Sequence, residues 1–299
     1  MLEGGQTELD EATVQAFWGA HPCGDHIVGG LHQRFADDYE RFFASYDHWR
    51  YRQERHILEC LDSVDWRDRQ VLEIGLGQGA ESEQLIRRGA RWSGLDLTAE
   101  SVDRVRTRLA TRDLAFEDLR QGSALDIPWS DAQFDTVFSH GVLHHVPDIH
   151  RAQHEIHRVL KPGGTLVVML YARRSLNYQV SIRWLRRAAL VAAHPVRRRI
   201  PGHTMLGQHL ANAEQVGLGR YLELDRFTSH NTDGPLNPFA RVYDLDDVAR
   251  DFPDFTVERS FQRYMHAPPL PVHRLPGGSR WGWHLWVHLR ARTGPRDGA

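Results

Sequence analysis

The sequence predicts an α/β fold built around a mostly parallel sheet, and three observations carry that expectation. Short continuous apolar runs, residues 71–74, 92–97, 134–139 and 165–171, alternate with segments of helical period. Runs of this kind read as strands buried on both faces, which is how parallel strands pack between helix layers. Gly75-Leu-Gly-Gln-Gly79 joins the first run to a helical pattern over 80–88, and the second run ends in Asp96, 23 residues after Glu73. Together they describe a β-α-β unit with a glycine turn at the carboxyl end of its first strand.

The elements follow in order. In residues 1–65, Leu31, Phe35, Tyr39, Phe42, Phe43 and Tyr46 keep a helical period, and residues 49–61 suggest a second helix. After the β-α-β unit, Ala152, Ile156, Val159 and Leu160 form one stripe of a helix over 148–160. Lys161-Pro-Gly-Gly164 is expected to stop it before the strand 165–171. Residues 173–241 form an insertion too long for a plain connection and are expected to fold as a mostly helical cap. Its place after a strand puts it above the strand ends where α/β folds bind ligands. A helix and a strand pair are expected within 242–292, with a Pro-rich connection over 267–279 and the last strand over 281–289. The expected division is thus 1–65 N-terminal helices, 66–172 cofactor-binding core, 173–241 substrate insertion and 242–299 completion of the sheet.

The glycine turn suits a nucleoside ligand. Gly75 and Gly77 let backbone approach closely, the helix start offers free N–H groups, and Asp96 can accept from both ribose hydroxyls. Gly75-x-Gly77-x-x-Ala80 also satisfies the dinucleotide fingerprint. Glu73 tilts the choice, because a carboxylate beside the turn repels a pyrophosphate and suits an ammonium or a sulfonium.

With the turn at Gly122-Ser-Ala-Leu-Asp-Ile-Pro-Trp129, the run Phe134-Asp-Thr-Val-Phe-Ser-His-Gly-Val-Leu-His-His-Val146 and Arg158-Val-Leu-Lys-Pro-Gly-Gly164, the chain resembles the small-molecule branch of class I S-adenosylmethionine-dependent methyltransferases. The resemblance covers residues 52–172 closely. It implies a Rossmann-like three-layer sandwich with a seven-stranded sheet, and S-adenosylmethionine as cofactor. It implies that Glu73, Gly75 and Gly77 line that cofactor, with Glu73 near the methionine ammonium. Asp96 would hold the ribose and Leu97 would pack on adenine. Ser123 and Ala124 would read the adenine edge, and Ser139 and His140 would sit near the methionine portion. Ser123 stands where the family usually has an acid.

For chemistry, His144 and His145 follow the fourth strand at the level of the transferable methyl, where a neutral imidazole can take a proton from a nucleophile. Tyr51, Tyr171, His230, Asn231 and Tyr243 are candidates to face the acceptor, the middle pair from the polar turn 230–238. The expected reaction is methylation of a small organic acceptor, a specialised metabolite, at oxygen first and at nitrogen or carbon otherwise. A catalyst that holds the cofactor for cyclisation or elimination without giving up its methyl is the alternative. The place of the Asn/Asp-Pro-Pro-aromatic signature of nucleobase amino methylation reads Ser139-His-Gly-Val142 here, which argues against that activity.

Composition bounds the rest. A net charge of −2 and a pI near 6.8 give no basic field for nucleic acid. Lys161 is the sole lysine, so the positive charge is nearly all arginine. Cys23 and Cys60 give no disulfide framework and suit a reducing cytoplasm. No apolar run is long enough for a membrane span. The arginine-rich stretch 181–199 reads as the solvated face of a cap helix before it reads as a peripheral membrane contact. The N-terminal helices offer a surface for a homodimer, though no pattern demands one. His150, His154 and His157, and the grouping His21, Cys23, His26, read as solvated or packing residues, so no metal site is expected.

Overall fold

The computed structural model describes residues 10–21, 29–31, 34–35 and 37–293. Seven strands form one sheet in the order β3-β2-β1-β4-β5-β7-β6. They are β1 (Gln70–Ile74), β2 (Arg91–Asp96), β3 (Asp118–Gln121), β4 (Phe134–His140), β5 (Leu160–Tyr171), β6 (Phe255–Arg263) and β7 (His284–Ala291). The first five pair in parallel, and β7 runs antiparallel to both β5 and β6.

Side-chain alternation sorts the core into two layers. Val71, Phe138, Val167 and Trp286 point to the face covered by helices His56–Asp62 (α3), Ala80–Arg87 (α4) and Ala99–Thr111 (α5), through Ile57, Leu85, Val105 and Leu109. Leu72, Val137, Leu166, Val168 and Val287 point to the opposite face. There Ile149–Val159 (α6) and Leu245–Asp251 (α10) supply Ala152, Ile156, Val159 and Val248. Asp148 caps α6 by accepting the Arg151 N–H at 3.0 Å.

The N-terminal part contributes Glu11–Ala20 (α1) and Tyr39–Gln53 (α2). The break between α2 and α3 falls at Glu54, not before Trp49 as the periodicity suggested. Arg50 explains the longer helix: it is a buried member of α2, held at 2.7 Å by Glu81 of α4. Arg108 of α5, fully buried, bonds Glu83 of α4 and Asp47 of α2, so the same helix is clamped twice.

Between β5 and α10 the chain is mostly helical. A π-helical segment Asn177–Arg186 runs into Arg187–Ala193 (α7), followed by Met205–Val216 (α8) and Leu224–Thr232 (α9). His230 and Asn231 therefore finish a helix, and the polar turn begins at Asp233. Two other boundaries also differ from expectation. Lys161-Pro-Gly-Gly164 is not a free turn but the bulged start of β5. Leu160 pairs with Phe134, Thr165 with Thr136, and Gly163 takes φ +70° between them. The last strand begins at His284 because residues 278–281 form a short helix first. Among the described residues no helix is long and apolar enough to cross a membrane.

Candidate active site

In the order 3-2-1-4 the chain reverses direction between β1 and β4, the crevice where open parallel sheets bind ligands. A cleft of about 280 Å³ lies there, beyond the carboxyl ends of the strands. A more open depression of about 640 Å³ lies near Gln70, Ser93 and Asp118, the amino ends of β1 and β3, and contains none of the glycine turn. The first contains the glycine turn and is the candidate site.

The glycine turn forms the cleft floor. Gly75, Gly77 and Gly79 have φ of +79°, +52° and +73°. A Cβ on Gly75 would come within 2.1 Å of a Val142 methyl, so only glycine lets β1 meet the loop after β4. Asp96 is held on both oxygens: Oδ2 accepts the Leu76 N–H at 2.7 Å, and Oδ1 accepts the N–H and hydroxyl of Thr98 at 2.9 and 2.8 Å. Burial raises its pKa against these donors. Glu73 is buried in the wall, where its carboxylate accepts the Trp92 indole N–H at 2.8 Å. Burial pushes its pKa up to about 8.

Leu97, Ala124 and His140 also border the cleft. His140 Nδ1 accepts from Arg50 at 3.1 Å, and burial followed by the Arg50 charge holds its pKa well below the usual imidazole range. Ser139 is committed elsewhere, since its hydroxyl donates to the Ile74 carbonyl at 3.0 Å and locks β4 to β1. Ser123 donates to the Glu11 carboxylate and accepts the Leu125 N–H at 2.9 Å. An acid absent from position 123 is thus brought to the same place by α1. That helix also donates from Gln15 to the Leu97 carbonyl at 2.8 Å and lays Val14 and Trp18 over the cleft.

The two adjacent histidines part company. His144 is fully buried against the Tyr171 ring, centroids 3.8 Å apart, outside the cleft lining. His145 borders the cleft, with Nδ1 2.6 Å from the Phe239 carbonyl and Nε2 3.3 Å from Asp233 Oδ2. The Tyr171 hydroxyl donates to the other Asp233 oxygen at 2.8 Å. Burial works to raise the Asp233 pKa, but the bonds from His145 and Tyr171 overcome it and hold the carboxyl below its usual range.

Of the remaining acceptor-facing candidates, Tyr171 lines the cleft and Tyr51, His230, Asn231 and Tyr243 do not. Tyr51 packs among the N-terminal helices, His230 stacks on Tyr221 at 5.2 Å, and Asn231 bonds the Phe227 carbonyl at 2.8 Å. Tyr243 is buried under the second face of the sheet. Glu11, Arg50, Glu54, Asp233 and His284 line the cleft without having been singled out. Only Arg50 left a local trace, standing four residues after Tyr46 on the stripe of α2. Cys23 and His26 lie outside the described residues, and the side chains of His150, His154 and His157 do not gather: His154 faces Asp254 at 3.9 Å, while His157 meets the Arg292 carbonyl at 3.3 Å.

Comparison with known proteins agrees with this geometry. Residues 72–168 match the family described as "Methyltransferase domain". A probable chloroplastic tocopherol O-methyltransferase of Oryza sativa subsp. japonica is 29% identical over 171 residues, covering 54% of this chain and 44% of that protein. A ubiquinone biosynthesis O-methyltransferase of Alkalilimnicola ehrlichii is 28% identical over 134 residues, covering 42% and 51%. The chain spans about half the length of these curated relatives. The fold is shared with the solved structure of a methyltransferase from Methanosarcina mazei, at a TM-score of 0.53, 15% identity, and coverage of 79% of this chain and 98% of that one. Residues 72–168 are thus similar to S-adenosylmethionine-dependent methyltransferases, and S-adenosylmethionine is the cofactor this likeness points to. The cleft at the glycine turn fits that ligand's chemistry, since buried acids suit a cation and a ribose.

Proposed function

We propose that this protein transfers the methyl group of S-adenosylmethionine to an oxygen of a small hydroxylated acceptor, of the specialised-metabolite kind. Asp96 takes the ribose and Glu73 the ammonium. Leu97 and Ala124 flank the adenine, and Ser123 with Glu11 meets its amino edge. His140 sits beside the methionine portion. The helices between β5 and α10 cover the acceptor.

One observation carries the choice of oxygen. His145 faces a carbonyl with Nδ1, so in the neutral ring that nitrogen carries the hydrogen and Nε2 is an acceptor. Nε2 and Asp233 Oδ2 lie 3.3 Å apart at the border of the cleft, close enough to share a proton. A hydroxyl of the acceptor entering there meets a base already backed by a carboxylate. As the oxygen attacks the methyl carbon, the carbon–sulfur bond breaks, the sulfonium becomes a neutral thioether, and the hydroxyl proton passes to His145. The resulting imidazolium is held by the Phe239 carbonyl and the Asp233 carboxylate. Alignment supplies much of the rate, while the positive charge that leaves the sulfonium reappears on His145, beside the Asp233 carboxylate. The names of both plant and bacterial relatives, which specify O-methyl transfer, support oxygen as the acceptor atom.

The test is incubation with labelled S-adenosylmethionine and a panel of phenols and alcohols, followed by mass spectrometry. A product heavier by one methyl is expected, with His145→Ala and Asp233→Asn each lowering kcat by about 10²- to 10⁴-fold while cofactor affinity holds. A product without the added methyl, or undiminished kcat in both variants, overturns the proposal.

A further inference from the structure

We propose that Glu54, His56 and His284 form a site for one divalent transition-metal cation, of the zinc or ferrous class, in the wall of the cleft. Three separate elements bring these residues together. Glu54 ends α2, His56 begins α3, and His284 begins β7, 228 positions further along the chain. One ligand atom from each lies within 4.8 Å of the other two, the sole such grouping of three among the described residues. His56 Nε2 and His284 Nδ1 are 3.0 Å apart, and Glu54 Oε2 is 3.8 Å from the same His284 nitrogen. Two imidazoles bound tetrahedrally to one ion at about 2.0–2.1 Å have their nitrogens about 3.3 Å apart. The existing contact is a few tenths of an ångström shorter, so a slight opening of the pair and a turn of the carboxylate would complete the set.

The surroundings match what such a site needs. Two imidazoles and one carboxylate leave coordination positions open, the composition of catalytic rather than structural metal centres. Glu54 and His284 both border the cleft, so those positions face the bound ligands. The two Glu54 oxygens are divided: Oε1 lies 3.6 Å from Arg50, leaving Oε2 on the histidine side. Arg50 itself is paired at 2.7 Å with Glu81, which offsets its charge and lets it orient the ligand carboxylate. Tyr264, whose ring stacks on His56 at 5.6 Å and lies 4.8 Å from His284, is held at φ +69°. A strained non-glycine backbone is kept only where its surroundings impose it, and here it presses an aromatic ring onto both imidazoles.

A cation here gives the acceptor a second hold. An oxygen of the acceptor enters an open position as a Lewis base while the hydroxyl to be methylated meets His145. This role rests on the proposed methyl transfer; the metal site itself does not.

The experiment uses the full chain, treated with a chelator, dialysed, and titrated with Zn²⁺ by calorimetry and with Co²⁺ by visible absorption. The wild type is expected to bind a single equivalent of each, with cobalt bands of nitrogen–oxygen coordination. Glu54→Gln and His284→Asn, each checked by circular dichroism and by retained cofactor binding, are expected to weaken binding by well over 100-fold, beyond the roughly 10- to 100-fold that loss of an outer partner costs. His154→Ala, on α6, is expected to leave the titration unchanged. Absence of a saturable equivalent in the wild type overturns the proposal, as does binding that survives in both ligand variants. A metal titration that succeeds while no methylated product forms counts against the methyl-transfer reading alone.

Discussion

At the residue scale, the cofactor side of the cleft is organised by acids held where water cannot reach them. Glu73 is the clearest case. Its folded pKa of about 8 lies above its ordinary 4.5 because burial penalises the carboxylate more than the Trp92 indole stabilises it. Between those two values the folded protein binds a proton more tightly than the unfolded chain does, so this residue makes stability fall as pH rises through the window. The expected outcome is a ligand-free protein that loses up to about 1.4 kcal/mol per pH unit from this group, with Glu73→Gln flattening the slope. Urea denaturation of both proteins across the window checks it. A cofactor ammonium placed against Glu73 offsets the buried charge, so the stabilisation given by S-adenosylmethionine should grow with pH in the wild type and not in the variant.

At the scale of elements, α1 stands out because it belongs to none of the layers and still completes the cleft. Its Glu11 reaches Ser123 and its Gln15 reaches Leu97, two of the residues proposed to flank the adenine. If Glu11 takes the place of an acid after β3, Glu11→Gln removes a charge-assisted hydrogen bond of about 1.5 kcal/mol and raises the cofactor Kd about tenfold. Calorimetric binding of S-adenosylhomocysteine measures this; an unchanged Kd removes α1 from cofactor recognition. This contact also marks the limit of what the sequence discloses. The β1-α4-β2 unit was legible because it is local, with apolar runs, a glycine turn and a terminal acid within 27 residues of one another. The Glu11–Ser123 contact spans 112 positions and the His56–His284 contact 228, and no periodicity encodes such meetings. Boundaries failed for a related reason. Lys161-Pro-Gly-Gly164 has the composition of a turn, but pairing of Leu160 with Phe134 draws it into the sheet. Arg50 extends α2 past the expected break because its partner waits on α4.

At the scale of the whole molecule, Arg186 ties the helices of the insertion to one another and to the connection between β6 and β7. At the end of the π-helical segment, it donates to the Asn231 carbonyl at 2.7 Å, the Pro268 carbonyl at 3.0 Å and the Ser181 hydroxyl at 3.1 Å. Burial lowers its pKa to about 10. Replacing it with Met keeps the apolar stem and deletes the charged donors, which are worth about 1.5–3 kcal/mol. Hydrogen exchange over 177–232 is then expected to accelerate about 10- to 100-fold while β1, β4 and β5 keep their protection. Uniform acceleration across the chain would mean that the insertion and the sheet open as one unit.

The position of Asp233 has a last consequence. His145 follows a strand of the sheet, whereas its carboxylate neighbour sits just past α9, in the segment laid over the crevice. Any outward swing of that segment dismantles the pair, so an imidazole exposed to bulk water loses the anion that would steady its protonated form. On the proposed mechanism, water attacking in the acceptor's place would then find no steadied base to take its proton.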